Sequence, residues 1–260
     1  MKSVYACLIV AGLAAGATSA PAQRAGRPFP FRYADTASAA YLSAFRALHR
    51  LDDVIASSDS DFERALAITQ WAHRRSWHAG VGFAGATREV DYAALARDGL
   101  AAVGLPARVV ALVPATPPAG GEPEAYTITE AFLLDTEKWV CFDPRAGLAP
   151  LLWGFVPLNA QEFAQALRER PGSIVLAAAY GEADEQRRRE YLAFAEEHFA
   201  ALCTAFDQRP GRDAAGGEVG GLRLPLTAEL DDGSAGAGGG DGGLRTVSVQ
   251  AFYPSPGQVF

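Results

Sequence analysis

Apolar residues recur with helical spacing in the first third of the chain and with a period of two further on. From about Ala37 to Ala56, Tyr41, Phe45, Leu48 and Leu51 fall on one side of a 3.6-residue repeat, which predicts an amphipathic helix. A second helix is predicted to start within "SSDSDFERALAITQWAHRRSW". Ser60 or Asp61 can accept from the unpaired amides of its first turn, Phe62, Leu66 and Ile68 open its apolar stripe, and Arg74 and Arg75 suit its end. "HAGVGFAGA" is then a glycine-punctuated loop. Thr87 can cap a third helix running to Val103, with Tyr92, Leu95 and Leu100 as its large apolar groups, and Gly104 followed by Pro106 stops it.

From there the pattern changes. "ARVVALVP" reads as a short buried strand and "PATPPAGGEPE" as a loop, while "AYTITEAFLL" and "KWVCFDP" read as antiparallel strands joined around "DTEK". Period two puts Trp139, Cys141 and Asp143 on one face and Val140 and Phe142 on the other. A helix is predicted near Ala160 to Arg170, and "SIVLAAAY" fits strand or helix. Glu182 to Phe206 predicts a long amphipathic helix with Tyr191, Phe194, His198 and Leu202 on one side, which also places Cys203 on a helix. In the tail, "LRLPLTAEL" and "LRTVSVQAFY" alternate apolar and polar residues around the low-complexity "DDGSAGAGGGDGG", predicting a hairpin-like pair with no obvious closing element after it.

Composition narrows the partners. A net charge of -7 over 260 residues argues against nucleic acid, because no concentrated basic face is available. The densest basic run, Arg187-Arg188-Arg189, is flanked by Glu185 and Glu190 and reads as the solvated side of a helix. At the N-terminus, Lys2, an apolar run from Val4 to Ala17 and the small residues of "ATSAPAQ" have the form of a secretory signal peptide cleaved after Ala20 or Ala22. That run is short of the roughly 20 residues of a spanning helix, and no later segment is long and apolar enough. The expectation is an exported protein, secreted or periplasmic, with no membrane span after cleavage. Its domains are a signal over 1–22, a linker over 23–36, a globular domain over 37–206 and a glycine-rich tail over 207–260. Cys7 leaves with the signal, and Cys141 and Cys203 are expected as free buried thiols rather than a bridge.

The order of these elements, with "GLPARVV" (Gly104 to Val110) and "KWVCFDP" (Lys138 to Pro144) at this spacing, resembles the transglutaminase-like superfamily, a branch of the papain-like fold. The resemblance covers about Asp61 to Pro144. It implies an α+β fold, a papain-like core with helices packed on an antiparallel sheet, to which the tail would add its β-hairpin-like element. It also implies a Cys-His-Asp triad: a cysteine opening the long helix, where helix dipole and histidine favour the thiolate, a histidine on a later strand, and an aspartate orienting the imidazole. Matched position by position, the aspartate falls on Asp143, the histidine on Tyr126 and the cysteine on Glu89. Two of the three catalytic positions thus depart from the pattern.

Each substitution also has an ordinary explanation. Glu89 suits the first turn of a helix, Tyr126 suits a strand, and Asp143 before Pro144 suits a turn. His49, His73, His78 and His198 all lie on predicted helices or their ends, with no metal-ligand spacing, so neither a metal nor a cofactor is expected. A Glu89–Asp143 acid/base pair of the glycoside-hydrolase kind has no support beyond the borrowed fold. Two functions remain: an exported, catalytically inactive domain with a binding or structural role, or a cysteine-dependent peptidase or amidase acting on envelope peptides through another thiol. A carboxylate cannot replace a thiolate in acyl transfer without forming an anhydride, which favours the first. Its partner stays open among peptide, polysaccharide and protein of the cell envelope.

Overall fold

Why the third helix stops where it does is set by three residues of "GLPAR". The computed structural model describes residues 36–79, 92–114, 126–178, 181–205, 208–209, 221–225, 244–246 and 252–253. In it α4 spans Tyr92–Ala102, following α1 (Thr36–His49), α2 (Leu51–Ile55) and α3 (Asp61–Ala79). Gly104 takes φ 91°, a conformation glycine adopts at little cost. Its N–H donates to the Ala101 carbonyl and the N–H of Leu105 to that of Leu100, satisfying two carbonyls the helix would leave unpaired. Leu100 and Leu105 pack in the same core cluster, and Pro106 cannot continue the helix. The predicted start at Thr87 lies outside the described residues, as does Glu89.

β1 (Ala107–Val113) follows at once and pairs antiparallel with β2 (Tyr126–Leu133), which pairs antiparallel with β3 (Lys138–Phe142). After them come β4 (Ala149–Leu152), β5 (Val156–Pro157), α5 (Ala160–Glu169), β6 (Ile174–Ala178), β7 (Gly181–Glu182), α6 (Glu185–His198), β8 (Ala201–Ala205), β9 (Gly221–Pro225) and β10 (Leu244–Thr246). Two sheets result, a six-stranded one in the order β10-β9-β8-β1-β2-β3 and a four-stranded one in the order β5-β4-β6-β7. The larger sheet is covered on both faces. Ala131, Leu133, Val140 and Phe142 meet Ile68, Trp71 and Leu100 of α3 and α4 on one side. Ile128 and Cys141 meet Phe163 of α5 and Tyr191 and Ala195 of α6 on the other. Strand alternation therefore sends successive residues into two different cores, as the pattern of "KWVCF" predicts. The fold is α+β.

Three predicted elements differ. The helix over 37–56 is broken, because Arg50 sits at φ 51° in the left-handed region. The break turns Leu51 fully inward while Leu48, assigned to the apolar stripe, is 76% exposed, and Arg46 pairs with Asp52 across the bend. The helix over 182–206 ends at His198 instead: the N–H of Ala200 donates to Val113, and residues 201–205 pair with the edge of β1. Leu202 and Cys203 are therefore strand residues. An open sheet edge supplies a row of backbone partners that helix periodicity does not reveal. Lastly, β9 and β10 pair in parallel, which excludes a hairpin between them, and β9 continues the main sheet beside β8. The described part of the tail is integral to the domain: Phe252 is fully buried.

The second helix begins as its sequence predicts. Ser60 Oγ accepts from the Glu63 N–H while Glu63 Oε2 accepts from the amides of Asp59 and Ser60. Asp61 has a longer reach. Its Oδ2 accepts from the amides of Leu134 and Asp135, which fixes the β2–β3 turn to the start of α3.

The centre of the fold is an ion pair with both side chains at 0% exposure. Arg108 donates through Nη2 and Nε to Glu130 Oε2, at 2.7 and 3.0 Å, and through Nη1 to the carbonyl of Phe252 at 2.8 Å. Glu130 Oε1 accepts from the amide of Ala160, in the first turn of α5, at 2.9 Å and from the Tyr253 hydroxyl at 2.7 Å. The rings of Trp139, Phe252 and Tyr253 lie 4.4, 4.6 and 4.9 Å from the guanidinium. Removing one partner strands the other charge, so Glu130→Ala is expected to destabilise the protein by about 3–5 kcal/mol in urea titrations. The double variant Arg108→Met/Glu130→Leu, which buries no charge, is expected to lose less than that single change.

Gly99 makes a second test. It lies on the face of α4 against α3, and a Cβ there would come within 2.8 Å of Ile68 Cγ2 and 3.2 Å of Trp71. Alanine gains about 1 kcal/mol of helix propensity, while overpacking a filled core costs about 1–3 kcal/mol. Ile68 is β-branched and fully buried, so it has no room to yield. Gly99→Ala is expected to lower the urea midpoint with an unchanged m-value.

Candidate functional site

Beyond β3 the chain turns sharply and comes back as β4, and this turn carries Asp143. Its N–H and carbonyl exchange hydrogen bonds with Leu148, and its Oδ1 accepts from the amide of Ala146 at 2.9 Å. The turn is secured from outside as well. His73 of α3 bonds through Nδ1 to the carbonyl of Arg145, and Arg187 of α6 donates to the carbonyl of Ala146. Gly147, at φ 67°, lies so close to His73 that a Cβ would sit 3.1 Å from its ring. The basic run of α6 is thus partly structural: besides Arg187, Arg188 donates to the carbonyls of Ile174 and Pro171.

The Asp143 side chain is fully buried, and its other oxygen takes two phenols. Tyr126 donates to Oδ2 at 2.8 Å and Tyr191 at 2.9 Å. Burial pushes the carboxyl above the usual range, against the lowering effect of these donors and of the Ala146 amide. Burial, with the Asp143 charge adding to it, likewise holds both phenols protonated far above the ordinary tyrosine value. Two of the three residues singled out in the sequence are therefore bonded to each other. Glu89 is outside the described residues.

A cleft of about 420 Å³ opens over this cluster, lined by Tyr126, Arg145, Ala146, Tyr191, Phe194 and His198. The Arg145 guanidinium lies 5.4 Å from the centre of the Tyr126 ring. Phe194 lies 4.6 Å from the same ring and stacks on His198 at 4.0 Å. His198 and Arg145 were not tied to the site by the sequence. The apolar stripe of α6 does place Tyr191, Phe194 and His198 on one face, but which strand that face covers depends on the fold.

Cys141 is close in sequence but differently placed. It is at 0% exposure on β3, opposite Glu130 in the strand register. Burial pushes its thiol well up, and the Glu130 and Asp143 carboxylates add to that. Cys203 is half-buried, and neither it nor Cys141 is in a disulfide. Among the described residues no group of three histidines, cysteines or carboxylates is arranged to hold a metal.

Comparison of the chain with protein-family models, with curated proteins and with solved structures finds no match. Function therefore has to be read from the site.

The buried carboxyl gives a pH test. A group whose folded pKa is raised contributes stability that is fully present below its unfolded value, near 3.8, and lost as pH rises through the folded one. The stability of wild type relative to Asp143→Asn is thus expected to fall as pH rises above that value, measured by urea unfolding at a series of pH values. A flat difference would mean that Asp143 titrates in the folded protein as it does in the unfolded chain.

Proposed function

We propose that this chain is an exported protein of transglutaminase-like architecture in which the hydrolytic triad is replaced and the cleft serves binding. The observation that carries this reading is the Tyr126–Asp143 hydrogen bond. At the position matched to the triad histidine, a phenol takes the aspartate that would orient an imidazole. A tyrosine held protonated well above neutral pH cannot accept a proton from a nucleophile. The second phenol, Tyr191, occupies the same carboxylate oxygen and leaves it no role toward a further group.

The thiols support the same reading. Acyl transfer needs a thiolate that a substrate can reach, and Cys141 is enclosed and held protonated. It shares a core with Phe163, Tyr191 and Leu148, and the Glu130 and Asp143 carboxylates beside it add to the burial that disfavours a thiolate. Glu89, at the position matched to the nucleophile, is a carboxylate. Export rests on the arrangement of Lys2, the apolar run to Ala17 and the small residues after it. Among the described residues, no helix is long and apolar enough to cross a membrane.

Treating the folded mature protein with iodoacetamide and mapping adducts by mass spectrometry tests the reading. Cys203 is expected to label first, and Cys141 only after denaturant is added, with no hydrolysis of peptide amide substrates at any stage. Rapid stoichiometric alkylation of Cys141 together with loss of a measurable amidase activity would instead establish a cysteine hydrolase.

A further inference from the structure

We propose that the cleft beside Tyr126 binds a small organic carboxylate, with its anionic end on Arg145 and His198 and its apolar part against Tyr126 and Phe194. This names the ligand class of the binding role proposed above and rests on it. The first reason is charge. In a chain of net charge -7, the guanidiniums of Arg145 and Arg187 flank the same turn, and neither has a carboxylate partner among the described residues. Six other arginines, Arg46, Arg50, Arg64, Arg97, Arg108 and Arg188, are each paired with an acid; Arg145 differs from further arginines outside such pairs, among them Arg74, Arg168 and Arg189, in lining the cleft. A planar guanidinium without an acid partner matches the two oxygens of a carboxylate.

The second reason is the histidine. His198 Nδ1 lies 2.8 Å from the carbonyl of Phe194, an acceptor only, so Nδ1 carries the proton and donates. Nε2 has no protein partner among the described residues, and it donates to a carboxylate at the cleft when the ring carries both protons. The one carboxylate beneath the cleft does little to repel an anion. Asp143 is fully buried, and both of its oxygens are occupied by donors.

The third reason is form. The turn carrying Arg145 is held by His73, Arg187 and the Asp143–Leu148 bonds, so the cation is presented on a fixed backbone. Tyr126, Phe194 and His198 make a continuous aromatic wall beside it. A volume near 420 Å³ is at the lower end for small-molecule sites, which suits a ligand of one or two residues' bulk rather than a polymer chain.

Calorimetric titration of the mature protein with 3-phenylpropionate and with its neutral isostere 3-phenylpropionamide tests this. The acid is expected to bind saturably at millimolar concentration and the amide about tenfold or more weaker, the scale of one charge-assisted hydrogen bond. Arg145→Ala is expected to remove that preference. His198→Gln is expected to weaken the acid several-fold, and Arg74→Ala, at an exposed site on α3, to leave it unchanged. Unfolding curves of each variant confirm that the fold is kept. Equal binding of acid and amide, or no saturable binding of the acid, overturns the carboxylate assignment. Neither result touches the inactive-domain reading, which stands or falls on Cys141 labelling and amide hydrolysis.

Discussion

Everything in this domain is arranged around one buried charge pair. Taking Arg108 and Glu130 out of water costs several kcal/mol for each ion, and their attraction offsets that only if the remaining donors and acceptors are also satisfied. Here they are satisfied by parts of the chain far apart in sequence: the first turn of α5, the carbonyl of Phe252 and the hydroxyl of Tyr253. The amide of Ala160 meets the carboxylate at the helix end that favours negative charge. The pair therefore constrains topology as much as it contributes energy. β1, β2, α5 and the C-terminal segment have to converge on one point, or a charge is left uncompensated in an apolar interior.

The candidate site is a consequence of that convergence. Glu130 and Tyr126 lie four residues apart on β2, and strand alternation puts both on the face that looks toward α5 and α6. Fixing Glu130 beneath α5 fixes the register of β2, and so the height at which Tyr126 meets Asp143. α6 then crosses the same face, bringing Tyr191 to the other side of the carboxyl and Phe194 and His198 to the rim of the cleft. The buried Asp143 carboxyl accepts from two phenols on one oxygen and from the Ala146 amide on the other. It makes a rigid floor, above which the polar chemistry belongs to Arg145 and His198.

Much of the local structure was legible in the chain. The cap at Ser60, Gly104 with Pro106, and the alternation of "KWVCF" each act within a few residues, through capping, positive φ and pleating, and each appears where it was expected. The errors lie where a distant partner decided. Residues 199–205 carry apolar side chains that suit a helix, and the free edge of β1 draws them into a strand. Leu48 sits on the predicted stripe, but the left-handed turn at Arg50 redirects the burial to Leu51. Cys203 followed the misread helix.

What the sequence by itself determined is the set of elements that local forces can make, together with the absence of cysteine and histidine from two positions where the resemblance would require them. It also marked Arg108, as part of "GLPAR", without indicating that its partner is Glu130. What only the tertiary structure decided is which of these side chains meet. Tyr126 and Asp143 are separated by a turn and a strand, Tyr191 and His198 come from a helix some fifty residues further on, and Tyr253 closes the charge pair from the far end of the chain. Local propensity acts over one or two turns of chain. A buried charge or carboxyl can be satisfied by any donor the fold delivers, and no periodicity in the sequence records which one that will be.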